Sequence, residues 1–290
     1  MPFSNKLPKG TPTLSYEFFP PKTPEGWGLL YNSLEDAKRE SLDFISVTYG
    51  AGGSTREKTL ELTGRTQNEL GLDTMSHLTC VGHSKEELHL ILQSLSEQNI
   101  PAIMALRGDP PQGQSNFTIH PDGFAHATDL IAYIKQNFCF VIGAACYPEG
   151  HTESPNVTQD IAYLKLKQDK GADFAVTQLF FDNSAFYHFR DNAQKAGVQI
   201  PIIAGIMPVK SLQQLDRFRS LSGCSFPNNL IEGLQNRNEA EQAEFGIEFG
   251  IQQCADLLDN GIAGIHLYTL NRSEASARII SGLRDLGYFR

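Results

Sequence analysis

Short apolar runs rich in β-branched and aromatic residues alternate along most of the chain with longer segments of helical composition. Eight runs read as strands: Leu14 to Phe18, Phe44 to Thr48, Thr74 to Cys80, Ala102 to Leu106, Phe140 to Ala145, Phe174 to Gln178, Pro201 to Gly205 and Ala263 to Tyr268. The intervening segments carry helix punctuation. Thr23-Pro24 puts proline in a first turn. Ser54-x-x-Glu57 and Ser84-x-x-Glu87 have the form of capping boxes, in which hydroxyl and carboxylate satisfy the amide donors left open at a helix start. Gly171, Gly197 and Gly261 stand just before strands, where a glycine in the left-handed conformation closes the preceding helix. Eight βα units in series predict an α/β fold with the parallel sheet closed into a (β/α)8 TIM barrel rather than left open. The rhythm breaks from Ser222 to Glu241, a stretch rich in Asn, Gly and Pro that reads as a short insertion between strands seven and eight. A helical segment then runs to about Leu258.

At 290 residues the chain is near the usual size of one such barrel, roughly 250 residues plus insertions. No linker divides it, so residues 1–290 are expected to form a single catalytic domain, with residues 1–12 as a flexible lead-in. The 40% hydrophobic content contains no run approaching the ~20 apolar residues of a membrane span, and the N-terminus lacks a basic-then-apolar signal, which predicts a cytoplasmic protein. Five cysteines without a CxxC pair suggest neither a disulfide framework nor a zinc ribbon. A formal charge of -9 disfavours nucleic-acid binding.

In a barrel of this kind the chemistry sits where the C-terminal ends of the strands and their βα loops surround one mouth. Strand one ends at Glu17, a carboxylate in an apolar strand followed by Phe18-Phe19-Pro20-Pro21, which stiffen the chain. Such surroundings suit it to donate a proton near neutral pH; a carboxylate paired with a nearby cation is the alternative reading. Strand four runs into Arg107-Gly108-Asp109 ahead of two prolines, and this is either an anion-holding loop or a salt-bridged turn. Gly50-Ala51-Gly52-Gly53-Ser54 matches a dinucleotide-binding loop only weakly, because Thr55 stands where that fingerprint needs a small residue. Asp160, Tyr163 and Lys167 share one helix face by their spacing, a pattern that in isolation usually marks a solvated surface. The eight histidines show no metal-ligand spacing, and no nucleophile motif is present.

Together, Tyr16-Glu17-Phe18-Phe19-Pro20-Pro21-Lys22, Val47-Thr48-Tyr49-Gly50-Ala51-Gly52-Gly53, His77-Leu78-Thr79-Cys80, Ala105-Leu106-Arg107-Gly108-Asp109, Tyr147-Pro148-Glu149, Thr177-Gln178-Leu179-Phe180-Phe181-Asp182 and Tyr268-Thr269-Leu270-Asn271-Arg272 resemble, in order across nearly the whole chain, the methylenetetrahydrofolate reductases. The resemblance implies a flavoprotein oxidoreductase that binds FAD at the strand C-termini. Such enzymes reduce 5,10-methylenetetrahydrofolate to 5-methyltetrahydrofolate with NADH or NADPH, a product that feeds methionine synthesis. The length is similar to that of the bacterial, catalytic-domain-only type, so inhibition by S-adenosylmethionine is not expected, and a homo-oligomer is. By motif position, Glu17 resembles the general acid that protonates N10 of the folate, and Asp109 the carboxylate beside the flavin pyrimidine edge. Tyr49, Ala51, His77, Arg107 and Gly108 match FAD-holding positions, as do Ala127, Tyr147, His151, Asp160 and Lys167, which gives the shared helix face a role. Thr48 and Gln178 match contacts to the cofactor, the nicotinamide donor or the folate; Gln214, Phe218 and Arg272 match positions lining the substrate site. His126, Tyr163 and Leu166 depart from the Tyr, Asn and Arg of some bacterial members, which alters the contacts expected at the FAD ribose and diphosphate. One face serving two substrates implies a ping-pong cycle. A barrel lyase or aldolase with a Schiff-base lysine, for which Lys210 is the candidate, and a non-catalytic flavin or folate carrier are the alternatives.

Overall fold

Alternation along each strand is what builds this molecule, because successive side chains point to opposite faces of the sheet. In the computed structural model, which describes residues 11–49, 53–108 and 119–289, the strands are β1 (Thr13–Phe18), β2 (Phe44–Val47), β3 (Thr74–Thr79), β4 (Ala102–Leu106), β5 (Val141–Cys146), β6 (Phe174–Thr177), β7 (Ile202–Ile206) and β8 (Gly264–Tyr268). Every boundary lies within one residue of the sequence-based expectation. The strands pair in parallel in chain order and β8 closes on β1, giving a complete barrel. Around it run α1 (Pro24–Arg39), α2 (Gly53–Asn68), α3 (Lys85–Glu97), α4 (Ala127–Asn137), α5 (Val157–Lys170), α6 (Asn183–Lys195), α7 (Leu212–Ser222), α8 (Asn228–Leu234), α9 (Glu239–Asp259) and α10 (Glu274–Asp285).

The punctuation acts largely as expected. Thr23 caps α1, its hydroxyl accepting from the Gly26 amide at 3.3 Å. Ser84 and Glu87 form the reciprocal box at the start of α3, at 3.2 and 2.9 Å. Gly171 closes α5 at φ 114°. One expectation needs correction. Helix α2 already begins at Gly53, so Ser54 falls inside its first turn rather than at the cap. The 222–241 stretch is an insertion between β7 and β8, as its composition suggested. It includes the short helix α8, and a capping box of Asn238 and Glu241 then starts α9, whose long amphipathic face packs on α10 and α8.

Two apolar layers follow from the alternation. Leu14, Tyr16 and Phe18 of β1 pack outward with Leu30 and Leu34 of α1 and Ile279, Ile280 and Leu283 of α10. Ser15 and Glu17 therefore point into the barrel. The N-terminal end of the interior is filled by Phe44, Met75, Ala102, Met104, Phe174, Val176 and Ile203. This floor is tight enough that a Cβ on Gly143 would lie 2.9 Å from the Phe174 ring and 3.2 Å from Met104. Full burial of such side chains contributes roughly 1.5–3 kcal/mol each. Above the floor the interior turns polar, with Ser15, Ser46 and His266, then Glu17, His77 and Tyr268 toward the mouth.

Candidate active site

Glu17 is held by its backbone before its side chain is considered. The Thr269 hydroxyl donates to the Glu17 carbonyl at 2.6 Å. The Asn271 amide brackets the next peptide but one, accepting from Phe19 N at 2.9 Å and donating to Phe19 O at 2.7 Å. Ser33 of α1 in turn donates to the Asn271 carbonyl at 2.9 Å. The clamp requires Leu270 and Asn271 to adopt left-handed conformations, φ 52° and 59°. Asparagine tolerates this region, but leucine does so at a cost on the order of 1 kcal/mol, so backbone strain is stored next to the carboxylate.

The Glu17 carboxylate is one-fifth exposed. Its Oε2 lies 3.6 Å from His77 Nε2 and 3.7 Å from His266 Nε2. Burial depresses the proton affinity of His77 below the ordinary histidine range, more than the neighbouring Glu17 charge raises it. His77 is thus an uncharged neighbour. Among the described residues no lysine or arginine pairs with Glu17, so the reading of Glu17 as half of a salt bridge finds no cation. Tyr268 stands beside it, donating to the Thr177 carbonyl at 2.7 Å; burial, then the Glu17 charge, raises its phenol well above the usual range.

A second group of residues lies on the β4–β5–α5 side. Lys167 reaches from α5 to donate to the Ala145 carbonyl at 2.7 Å and lies 5.8 Å from the centre of the Tyr147 ring. Burial holds its ammonium below the ordinary lysine range. Asp160 is buried, accepting from the His151 amide at 2.9 Å and the Ser154 hydroxyl at 2.6 Å, and the His151 ring packs edge-on against Tyr147 at 4.7 Å. The shared face of α5 is therefore divided: Asp160 and Lys167 turn inward while Tyr163 is exposed. Arg107 is ion-paired with Glu153 at 2.6 Å, so its salt bridge spans two loops rather than closing its own turn. Gly108 has φ 93° and packs so closely that a Cβ would sit 2.8 Å from Val81 and 2.9 Å from Thr79. Ala127 opens α4, half a barrel turn from Glu17 in the strand order.

The remaining expected residues are spread along the rim. Thr48 donates its amide to the Phe18 carbonyl at 2.9 Å, and the Tyr49 hydroxyl meets His83 Nε2 at 3.1 Å. Gln178 is exposed at the end of β6, and Arg272 is exposed after β8. Gln214 braces the β7–α7 turn, accepting from Lys210 N at 2.7 Å. Phe218 is buried with Leu179, Phe181, Met207 and Leu215 in a small core outside the barrel. Lys210 is half-buried in that turn, and burial followed by the Arg272 charge lowers its proton affinity. Ala51 and Asp109 lie outside the described residues, as does most of the glycine-rich loop. Burial pushes the Cys146 thiol up to about 12 and that of Cys80 to about 11, which removes both as thiolate nucleophiles near neutral pH.

Sequence reasoning concentrated on strand ends and missed Ser15, Ser46 and His266, the layer directly beneath Glu17. A polar residue two positions from another within a buried strand, as in Ser15-x-Glu17 and His266-x-Tyr268, was the available signal.

A closed (β/α)8 barrel with an acid at the end of its first strand places that acid at the C-terminal face, where α/β-barrel enzymes carry their chemistry. A sequence profile described as methylenetetrahydrofolate reductase matches residues 3–284, and the chain belongs to that family. It is 35% identical over 274 residues to the 5,10-methylenetetrahydrofolate reductase of Pectobacterium carotovorum, covering 93% of this chain and 90% of the relative. It is 36% identical to methylenetetrahydrofolate reductase (NADH) 1 of Zea mays, covering 94% of this chain but 48% of the relative. The chain thus spans about half the length of the plant and yeast relatives it matches. A solved Clostridium thermocellum protein that binds two copies of 5-methyltetrahydrofolic acid shares the fold, with a TM-score of 0.61, 16% identity and coverage of 98% and 97% of the two chains.

Proposed function

We propose that this chain reduces 5,10-methylenetetrahydrofolate to 5-methyltetrahydrofolate, using FAD and a nicotinamide donor at one barrel mouth, and so supplies methyl groups for methionine synthesis. The observation that carries the reading is Glu17: a partly exposed carboxyl, rigidly clamped at the end of β1, without a cationic partner among the described residues and in the sequence context of this family.

The residues present fit a flavin. His77 Nε2 is buried without a hydrogen-bond partner, which is costly unless a ligand supplies one. The tight approach at Gly108 leaves a backbone rather than a side chain at the rim, and Lys167 with Tyr147 offers a cation and an aromatic ring. Thr48, Tyr49 and His77 would border the ring system. Asp160, Lys167 and His151 would hold the polar tail, joined by Arg107 once released from Glu153. When bound, FAD supplies the hydride.

The protein's own part is then proton delivery and orientation. Glu17 donates to N10 of the folate, which opens the five-membered ring to an iminium at N5 and leaves the methylene carbon electrophilic. Arg272 and Gln214 at the β7–β8 rim orient the folate, Arg272 as a cation for its carboxylate; Gln178 meets the donor or the pterin. Because both substrates need the same face, they bind in turn.

The test is to purify the protein, record its visible spectrum, and add NADH, then methylenetetrahydrofolate. A yellow protein bleached by NADH and recoloured by the folate, with 5-methyltetrahydrofolate formed, is expected. A colourless protein that takes up no FAD would overturn the reading. The lowered proton affinity of Lys210 keeps a Schiff-base aldolase as a second reading, which trapping of a carbonyl substrate by borohydride on Lys210 would favour.

A further inference from the structure

Beneath Glu17 lies a histidine that neither the resemblance nor the rim geometry assigns. His266 is 1% exposed, in the middle of β8 and facing inward. Its ring stacks on Phe44 of the floor at 6.0 Å and meets Tyr268 edge-on at 5.5 Å. Its Nδ1 is 2.8 Å from the Ser15 hydroxyl; its Nε2 is 3.3 Å from the Ser46 hydroxyl and 3.7 Å from Glu17 Oε2. The groups around it are therefore Ser15 and Glu17 from β1, Ser46 from β2, His77 from β3 and Tyr268 from its own strand.

Resting on the functional reading above, we propose that His266 is a positioning residue for Glu17: Ser15 fixes it in the tautomer with hydrogen on Nε2, and that N–H receives the carboxylate left when Glu17 gives its proton to the folate. A ring nitrogen's tautomer is set by the hydrogen bond its partner nitrogen makes. The Ser15 hydroxyl has the Ile265 carbonyl as an alternative acceptor, but at 3.3 Å. It is the carboxylate facing Nε2 that favours a hydrogen there, which leaves Nδ1 to accept from the Ser15 hydroxyl at 2.8 Å. Phe44 below and the β1–β8 register, which pairs Ser15 with His266, hold the ring in place. The transfer balances: the proton leaves the Glu17 oxygen for N10, the electron pair stays on the carboxylate, and the carboxylate closes the 3.7 Å gap to the existing Nε2–H with no second proton moved.

The inference has a readout apart from turnover. In protein carrying 15N-histidine, the His266 signal, identified by its loss in His266→Gln, should report an Nε2–H imidazole, and Ser15→Ala should weaken that preference. In the flavin-loaded protein, His266→Asn keeps a partner for Ser15 but withdraws the donor beside Glu17. It should slow the folate half-reaction about 10- to 100-fold, in line with loss of a hydrogen bond to a charged group. The pH at which the half-reaction falls off should also move upward, since the ionised acid has lost a donor, while reduction by NADH stays at the wild-type rate. His266→Gln places an amide N–H near the same point and should recover most of the rate. An Nδ1–H tautomer in the wild type, or a His266→Asn protein with an unchanged rate and pH profile, overturns the inference alone. A wild type that does not turn over the folate overturns the functional reading and the inference with it.

Discussion

The barrel interior has two layers, and they divide the work. The floor of Phe44, Met75, Met104, Phe174 and Ile203 is apolar and closely packed, with no group that could titrate. Toward the mouth, Ser15, Ser46, His77, His266 and Glu17 form a polar layer in which each member lies 2.8 to 3.7 Å from another. The layers touch where Phe44 stacks on His266. The same alternation of inward side chains thus supplies stability at the N-terminal end and places the acid at the C-terminal end, above a closely packed layer.

The most severe break in this division is Glu17→Gln. It should lower folate reduction by about 10²- to 10⁴-fold, the range of general-acid catalysis, while thermal stability and reduction by NADH stay near wild type; stopped-flow traces of each half-reaction check both. Phe174→Ala attacks the other layer. Removing its ring from the floor should cost about 3–5 kcal/mol of stability, measured by denaturant unfolding, and should leave the pH profile of whatever activity survives in place.

The polar layer should also be the acid-sensitive one. His77 is held below its ordinary value of 6.5 by burial, so the unfolded chain takes up the proton first. Its contribution to stability is complete above about pH 6.5 and is lost as pH falls toward the folded-state value, with a slope of up to about 1.4 kcal/mol per pH unit. His77→Asn should flatten that part of the stability curve, as followed by thermal melts across pH. Ser84→Ala serves as the remote control. Loss of its cap on α3 should cost about 1 kcal/mol without altering either the half-reactions or the acid slope.

The floor and the strand count were legible because buried parallel strands announce themselves as apolar runs, and glycines such as Gly171 mark where helices end. Glu17 was legible for the opposite reason, as a charge where the pattern demanded none. His266 and Ser46 were not, because a single polar residue inside a short apolar run is also what a satisfied core position looks like, and only barrel closure brings β8 beside β1. Closure also explains Asn271: its role as a clamp on Phe19 joins residues 252 positions apart. Lys167 and Asp160 looked like a solvated face because helix periodicity alone does not say which side meets the barrel. The expected roles of Asp109 and Ala51 rest on motif position alone.

The most direct test of the account is a double-mixing experiment on wild type and Glu17→Gln. Each protein is first reduced with NADH and then mixed with methylenetetrahydrofolate while flavin absorbance is followed. The account predicts that both bleach at similar rates and that only the wild type regains its colour on the catalytic timescale. Recolouring of Glu17→Gln at the wild-type rate would contradict it.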